Sequence, residues 1–209
     1  TTKGAIAEAT QSLPERAPEA GIAGAMVREK AEIEASIIVA KRFPRDELAA
    51  GQKLLKTMSR PSAAENSFYR FPRGGQAVEG PSVGMAREAA RCWGNIRYGL
   101  RIVSEDDERI HVAGVAFDAE TNTLVEAEDK FAKLIYRKSV GWVKPDERDL
   151  RELVNRRGAI CVRNALLQLI PADIIEDALA CAKETLRKAT AGELKQSPEV
   201  AIKRMLTSF

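Results

Sequence analysis

The sequence predicts an α+β fold: an antiparallel β-hairpin and a three-stranded meander with a helix between them, helices packed on one face, and additional helices at the N- and C-terminal ends. Two observations carry this expectation. Apolar residues recur at helical spacing before residue 60, around residues 83–93 and again from residue 145 onward. Between residues 96 and 136 the texture changes to strand-like runs divided by short polar turns, and strands joined that closely pair antiparallel.

The elements follow in order. Residues 1–21 are rich in Ala, Thr, Pro and Glu without a sustained period, and are expected to be a mobile arm. Ile22, Met26, Ile33, Ile37 and Ala40 form one stripe of a helix that Pro44 ends, and Leu48, Leu54, Leu55 and Met58 supply the apolar face of the next. Ser67 to Phe71 reads as a strand. Pro72-Arg73-Gly74-Gly75 is its turn and Gln76 to Glu79 its return. Gly80-Pro81-Ser82 opens a helix with Val83, Met85, Ala86, Ala89, Ala90 and Trp93 available to bury, and Gly94 closes it.

Three strands are expected next, over Ile96 to Ser104, Ile110 to Asp118 and Thr123 to about Tyr136, with the acidic turn Glu105 to Glu108 between the first two. A helix follows from Pro145 to Leu169 on Leu150, Leu153, Val154, Ile160, Val162, Leu166 and Leu169. Pro171 breaks the pattern, and Ile174 to Lys188 makes the last clear helix. The organisation is thus an arm (1–21), one α+β domain (22–189) and a charged tail or small helix (190–209).

Composition limits function. The 209 residues carry a net charge of only +3, so any electrostatic case must come from local distribution. Three widely spaced cysteines and one histidine make neither a disulfide framework nor a metal site. No apolar run is long enough to span a bilayer and no signal-peptide pattern opens the chain, so a cytoplasmic protein is expected. A phosphate-binding G-x-x-x-x-G-K-[ST] loop and a G-x-S-x-G nucleophile elbow are both missing. No cofactor and no catalytic residue is assigned.

Two carboxylate sets remain as metal candidates, the Glu105-Asp106-Asp107-Glu108 turn and Glu126 with Glu128, which strand alternation places on one face. The alternative they offer is a metal-dependent nuclease using Glu126 and Glu128. A further alternative is a non-catalytic adaptor whose basic helix binds an acidic partner. Gly74-Gly75-Gln76 matches the catalytic tip of translation release factors, but a turn between short strands accounts for it. His111 is read as a strand histidine, hydrogen-bonded locally or facing solvent.

The informative constellation is basic and aromatic together. Tyr69, Arg70 and Arg73 stand on the hairpin, and Arg97, Tyr98 and Arg101 on the first meander strand. Lys133, Tyr136, Arg137 and Lys138 end the third strand. Trp142, Lys144, Arg148, Arg151, Arg156 and Arg157 continue through the following loop and helix. Cations neutralise phosphates while exposed rings offer stacking faces, a pairing that suits single strands.

The block Phe71-Pro72-Arg73-Gly74-Gly75-Gln76, Val78-Glu79-Gly80-Pro81-Ser82-Val83, Ala86-Arg87-Glu88-Ala89-Ala90-Arg91 and Trp93-Gly94-Asn95-Ile96 resembles phage proteins of the single-strand annealing class, the superfamily of RecT, Red-beta and Erf. Asp118 to Thr123, Asp146 to Asp149, Asn155 to Gly158 and Ile170 to Asp173 extend the resemblance over residues 66 to 180. It implies a homo-oligomer, ring or helical filament, in the cytoplasm of a bacterial host. Such an assembly holds single-stranded DNA in a basic groove and pairs it with its complement without ATP, releasing annealed duplex. A phage exonuclease or the host single-strand-binding protein would be its partner. Under that resemblance Arg70, Arg73 and Arg97 contact the backbone from the sheet side. Arg148, Arg151, Arg156 and Arg157 contact it from the helix side, and Tyr69 and Tyr98 pack on sugar or base.

Overall fold

A computed structural model describes residues 17–73 and 76–191, with the backbone alone described for residues 17–20, 72–73 and 76–77. The chain divides at Phe43 and Pro44 into two units, inside the stretch 22–189 that the sequence groups as one domain. The first unit holds helix α1 (Ala17–Arg42). It starts at Ala17 rather than Ile22, so the last residues of the expected arm are helical; residues 1–16 lie outside the described residues. Its Ile22, Met26, Val27 and Ile38 side chains are exposed.

In the second unit the elements are α2 (Glu47–Met58), α3 (Pro61–Glu65), β1 (Phe68–Arg73), β2 (Gln76–Pro81), α4 (Val83–Trp93), β3 (Ile96–Glu105), β4 (Arg109–Asp118), β5 (Thr123–Ala132), β6 (Ile135–Arg137), β7 (Gly141–Val143), α5 (Glu147–Leu169) and α6 (Ala172–Thr190). The fold is α+β, as the sequence predicts. β1 and β2 form the antiparallel hairpin, β3, β4 and β5 pair antiparallel in that order, and α4 lies between hairpin and meander in the chain. Residues 192–209, the greater part of the expected tail, lie outside the described residues. Among the described residues no helix is long and apolar enough to cross a membrane.

Local chemistry explains the boundaries. Asp46, Ser82 and Asp146 each accept a backbone N–H three residues on, capping α2, α4 and α5. Gly94 leaves α4 at φ 79°, where a side chain would be strained. Two features differ from expectation. A single-turn helix, α3, starts with Pro61 at its first position. The third strand does not run on to Tyr136: it ends at Ala132, and a separate two-stranded hairpin, β6–β7, follows.

Helix α5 covers one face of the sheet. That face carries Ile110, Val112, Gly114 and Ala116 from β4, with Phe131 and Ala127 beside them on β5. Gly114 sets the spacing: a Cβ there would run into the backbone of Cys161 and Val162 on α5. Ile110, Val112, Phe131, Leu153 and Cys161 form a small core beneath the helix. The larger core joins α2, α4, α5 and α6 through Leu54, Met58, Met85, Trp93, Leu166 and Ile175. Burying each large side chain contributes about 1.5–3 kcal/mol.

One polar cluster is buried with these helices. Arg45, whose side chain is 6% exposed, donates to Asp118 Oδ1 at 2.5 Å and to Glu120 Oε2 at 2.9 Å. Its guanidinium lies 5.0 Å from the Trp93 ring centre. Asn95 completes the set by donating to Glu120 at 2.8 Å. Burial pushes the Asp118 and Glu120 carboxyls up. Arg45 reverses this in both, helped by backbone N–H donors at Asp118 and by Asn95 at Glu120, and both end below the ordinary carboxylate range.

Candidate nucleic-acid interface

The basic and aromatic residues singled out in the sequence fall at three places rather than on one surface. At the β1–β2 hairpin, Tyr69 stacks on Phe71 with ring centres 5.8 Å apart. The Arg163 guanidinium of α5 lies 4.8 Å from the Tyr69 ring centre, and the ring also covers Gly80 across the strands. Tyr69 is therefore engaged within the fold. Arg70 pairs with Glu79 at 2.8 Å, while the side chain of Arg73 lies outside the described residues.

On the meander, alternation separates Tyr98 from its neighbours. Tyr98, Leu100 and Ile102 share the α5 side of β3, and Leu100 meets Gly158 of the helix. Arg97 and Arg101 point to the open face. There Arg101 reaches over β4 to Glu126 on β5 at 3.2 Å, and His111 Nε2 lies 3.1 Å from Glu128. The two carboxylates of the nuclease reading thus each face a basic partner. Among the described residues no group of three or more His, Cys, Asp or Glu side chains is placed to hold a metal ion. In the acidic turn, the backbone N–H groups of Glu108 and Arg109 hold the Asp106 carboxyl below its ordinary range.

The third place is a groove. Arg156 and Arg157 on α5, Trp142 on β7 and the apolar side chains of Phe131, Leu134 and Ile160 line a cleft of about 670 Å³. Its floor is the small core beneath the helix, where burial first and the nearby Asp129 carboxylate second push the Cys161 thiol up. Arg157 lies 5.1 Å from the Phe131 ring centre and pairs with Asp129 at 3.2 Å. A second, smaller cleft of about 240 Å³ adjoins it through Ala132 and Leu134, and is lined by both signs of charge, Arg109, Lys133 and Lys144 with Asp107 and Glu108.

The β6–β7 hairpin forms one wall of the groove. Tyr136 and Trp142 are directly paired across it and touch edge to face, 5.6 Å between ring centres. Val140 N–H bonds back to the Arg137 carbonyl, and Gly141 follows at φ 79°, the geometry of a three-residue hairpin loop. Arg137 reaches Asp149 in the first turn of α5 at 2.5 Å, tying hairpin to helix.

Ion pairing sorts the candidate cations. Arg70, Arg101, Lys133, Arg137 and Arg157 each face a carboxylate from another element or strand. Arg148 and Arg151 pair within α5 with Glu152 and Glu147. Among the described residues, Lys138, Lys144 and Arg156 make no ion pair, and all three are exposed. Phosphate binding at those three displaces no internal partner.

Sequence reasoning named most of these side chains but not the wall they build. Extending the third strand to Tyr136 hid the β6–β7 hairpin, although Gly141, placed between Tyr136 and Trp142 in a short polar stretch, is the signal of its turn. Leu134 gives no sign in sequence beyond being apolar, and Ile160, which the sequence puts on the apolar stripe of the helix, is exposed and lines the groove instead. No family model, curated protein or solved structure compared with this chain matches it.

Proposed function

We propose that this protein binds single-stranded DNA and promotes ATP-independent annealing of complementary strands. The observation that carries the reading is the groove in which Arg156, which makes no ion pair, Arg157, paired with Asp129, and the exposed ring of Trp142 come together. A strand lying there meets cations for its phosphates and apolar surface for its bases, and nothing in the groove contacts Watson–Crick edges selectively. Lys144 adds a cation in the adjoining cleft. The protein makes and breaks no bond: it neutralises the backbone and holds it extended, and base pairing supplies recognition. The resemblance of residues 66 to 180 to annealing recombinases points the same way.

The reading includes assembly into a homo-oligomer, which would set several such grooves along one strand. Both ten-residue outer strands of the meander, β3 and β5, are edges, and β3 exposes Leu100 and Ile102 beside its free backbone groups. Such an edge is a template for pairing with another chain.

The deciding experiment is annealing of two complementary fluorescent oligonucleotides without ATP, over a salt series and against a no-protein control. Acceleration that fades with salt is expected. Binding without acceleration would reduce the reading to a single-strand-binding protein, and absence of binding would remove it. Arg156→Ala should flatten the dependence of log affinity on log salt by about 0.7, one phosphate contact on a single strand. Arg148→Ala and Arg151→Ala, whose charges are met within the helix, should change it less.

A further inference from the structure

We propose that the β6–β7 hairpin is a nucleobase-stacking platform, with Trp142 as the ring on which an unpaired base lies and Tyr136 as its support. The inference rests on the single-strand reading above and deepens it by naming where a base is held. Trp142 is 68% and Tyr136 63% exposed, an unusual position for two large rings that could have been buried. Their single edge-to-face contact occupies at most one of the four ring faces, so a flat face remains for a ligand.

Three local features position the platform. Cross-strand pairing fixes the two rings side by side, the Arg137–Asp149 bridge anchors the hairpin to α5, and Gly141 sets the turn. A preorganised ring loses little freedom when a base stacks on it.

Charge identifies the occupant. Trp142 shares its groove with Arg156 and Arg157, and a lysine follows each ring two residues on, Lys138 after Tyr136 and Lys144 after Trp142. An apolar partner would gain nothing from this border, and a duplex keeps its base faces stacked inside. An unpaired base joined to phosphates satisfies both the rings and the cations. Stacking engages the face of the base and leaves its Watson–Crick edge outward, so a base held here stays available for pairing.

The two tryptophans make the test direct. Trp93 is buried, 6% exposed, so a change in intrinsic fluorescence on binding reports Trp142. The full chain is titrated with oligo-dT and with an abasic oligonucleotide of equal length, following both tryptophan fluorescence and the anisotropy of an end label. Quenching by oligo-dT with little by the abasic strand is expected. Trp142→Phe should keep most of the affinity and lose the quenching, and Trp142→Ala should weaken oligo-dT about five- to a hundredfold while leaving abasic binding nearly unchanged. Equal affinity for the two strands without quenching would overturn the platform and leave phosphate binding intact. Failure of both strands to bind would instead remove the single-strand reading and the platform with it. If Trp142 is shielded from acrylamide in the free protein, a second copy already covers the hairpin, and that result also overturns the proposal.

Discussion

Arg45 shows what a single residue does here. It is a guanidinium taken almost wholly out of water, balanced by two carboxylates, an asparagine-supported geometry and the Trp93 ring. Arg45→Met should cost about 3–5 kcal/mol in urea unfolding, because it strands Asp118 without its partner in the interior. The same cluster sets a pH dependence. Asp118 and Glu120 titrate lower in the folded chain than in the unfolded one, so their contribution is complete above the ordinary carboxylate range. It is lost as pH falls through that range towards the depressed folded values. The melting temperature of the wild type should therefore drop on acidification more steeply than that of Arg45→Met. None of this was legible in sequence, where Arg45 is one basic residue after a proline. Seventy-odd residues separate it from its partners, and no local pattern marks such a meeting.

At the scale of elements, most of the fold was legible because each segment announces its own period and ends. Ser82, Gly94 and Pro171 bound their helices by local chemistry that needs no tertiary information, whereas α5 starts after its cap Asp146 and not at the expected Pro145. What escaped were short elements, α3 and the β6–β7 hairpin, whose few residues give no period to read. Two glycines test the packing of α5 on the sheet. Gly114→Ala should destabilise by at least about 1–3 kcal/mol, since its methyl group meets helix backbone that can yield only by lifting α5. Gly158→Ala meets instead the side-chain end of Leu100, which is 40% exposed and can swing aside, and it gains helix propensity. Equal losses for the two in thermal melts would show that the close approach at Gly114 does not set the helix-to-sheet distance.

For the whole molecule, the candidate site was only partly legible. The sequence listed the cations, but it could not say that most are answered by carboxylates, since Arg101–Glu126 and Arg157–Asp129 join different elements. Nor could it place Tyr98 and Arg97 on opposite faces of a sheet covered on one side. The exposed β3 edge carries an expectation about the proposed self-association. Ile102, 54% exposed, sits where the regular register with β4 ends. Ile102→Glu should reduce self-association in sedimentation velocity while leaving the melting temperature within a few degrees of wild type. An unchanged sedimentation profile would exclude this edge as the contact.

The Arg45 cluster also bears on time. Its members come from the start of α2, the end of α4 and the β4–β5 turn, so it closes only after helices and meander have found each other. We expect a cluster that joins three already formed elements to be absent from the folding transition state, in which case its loss falls on the unfolding rate. Arg45→Met should therefore leave the refolding limb of a chevron plot almost where it was and raise the unfolding limb. The cluster governs how long the native state persists rather than how quickly it is reached.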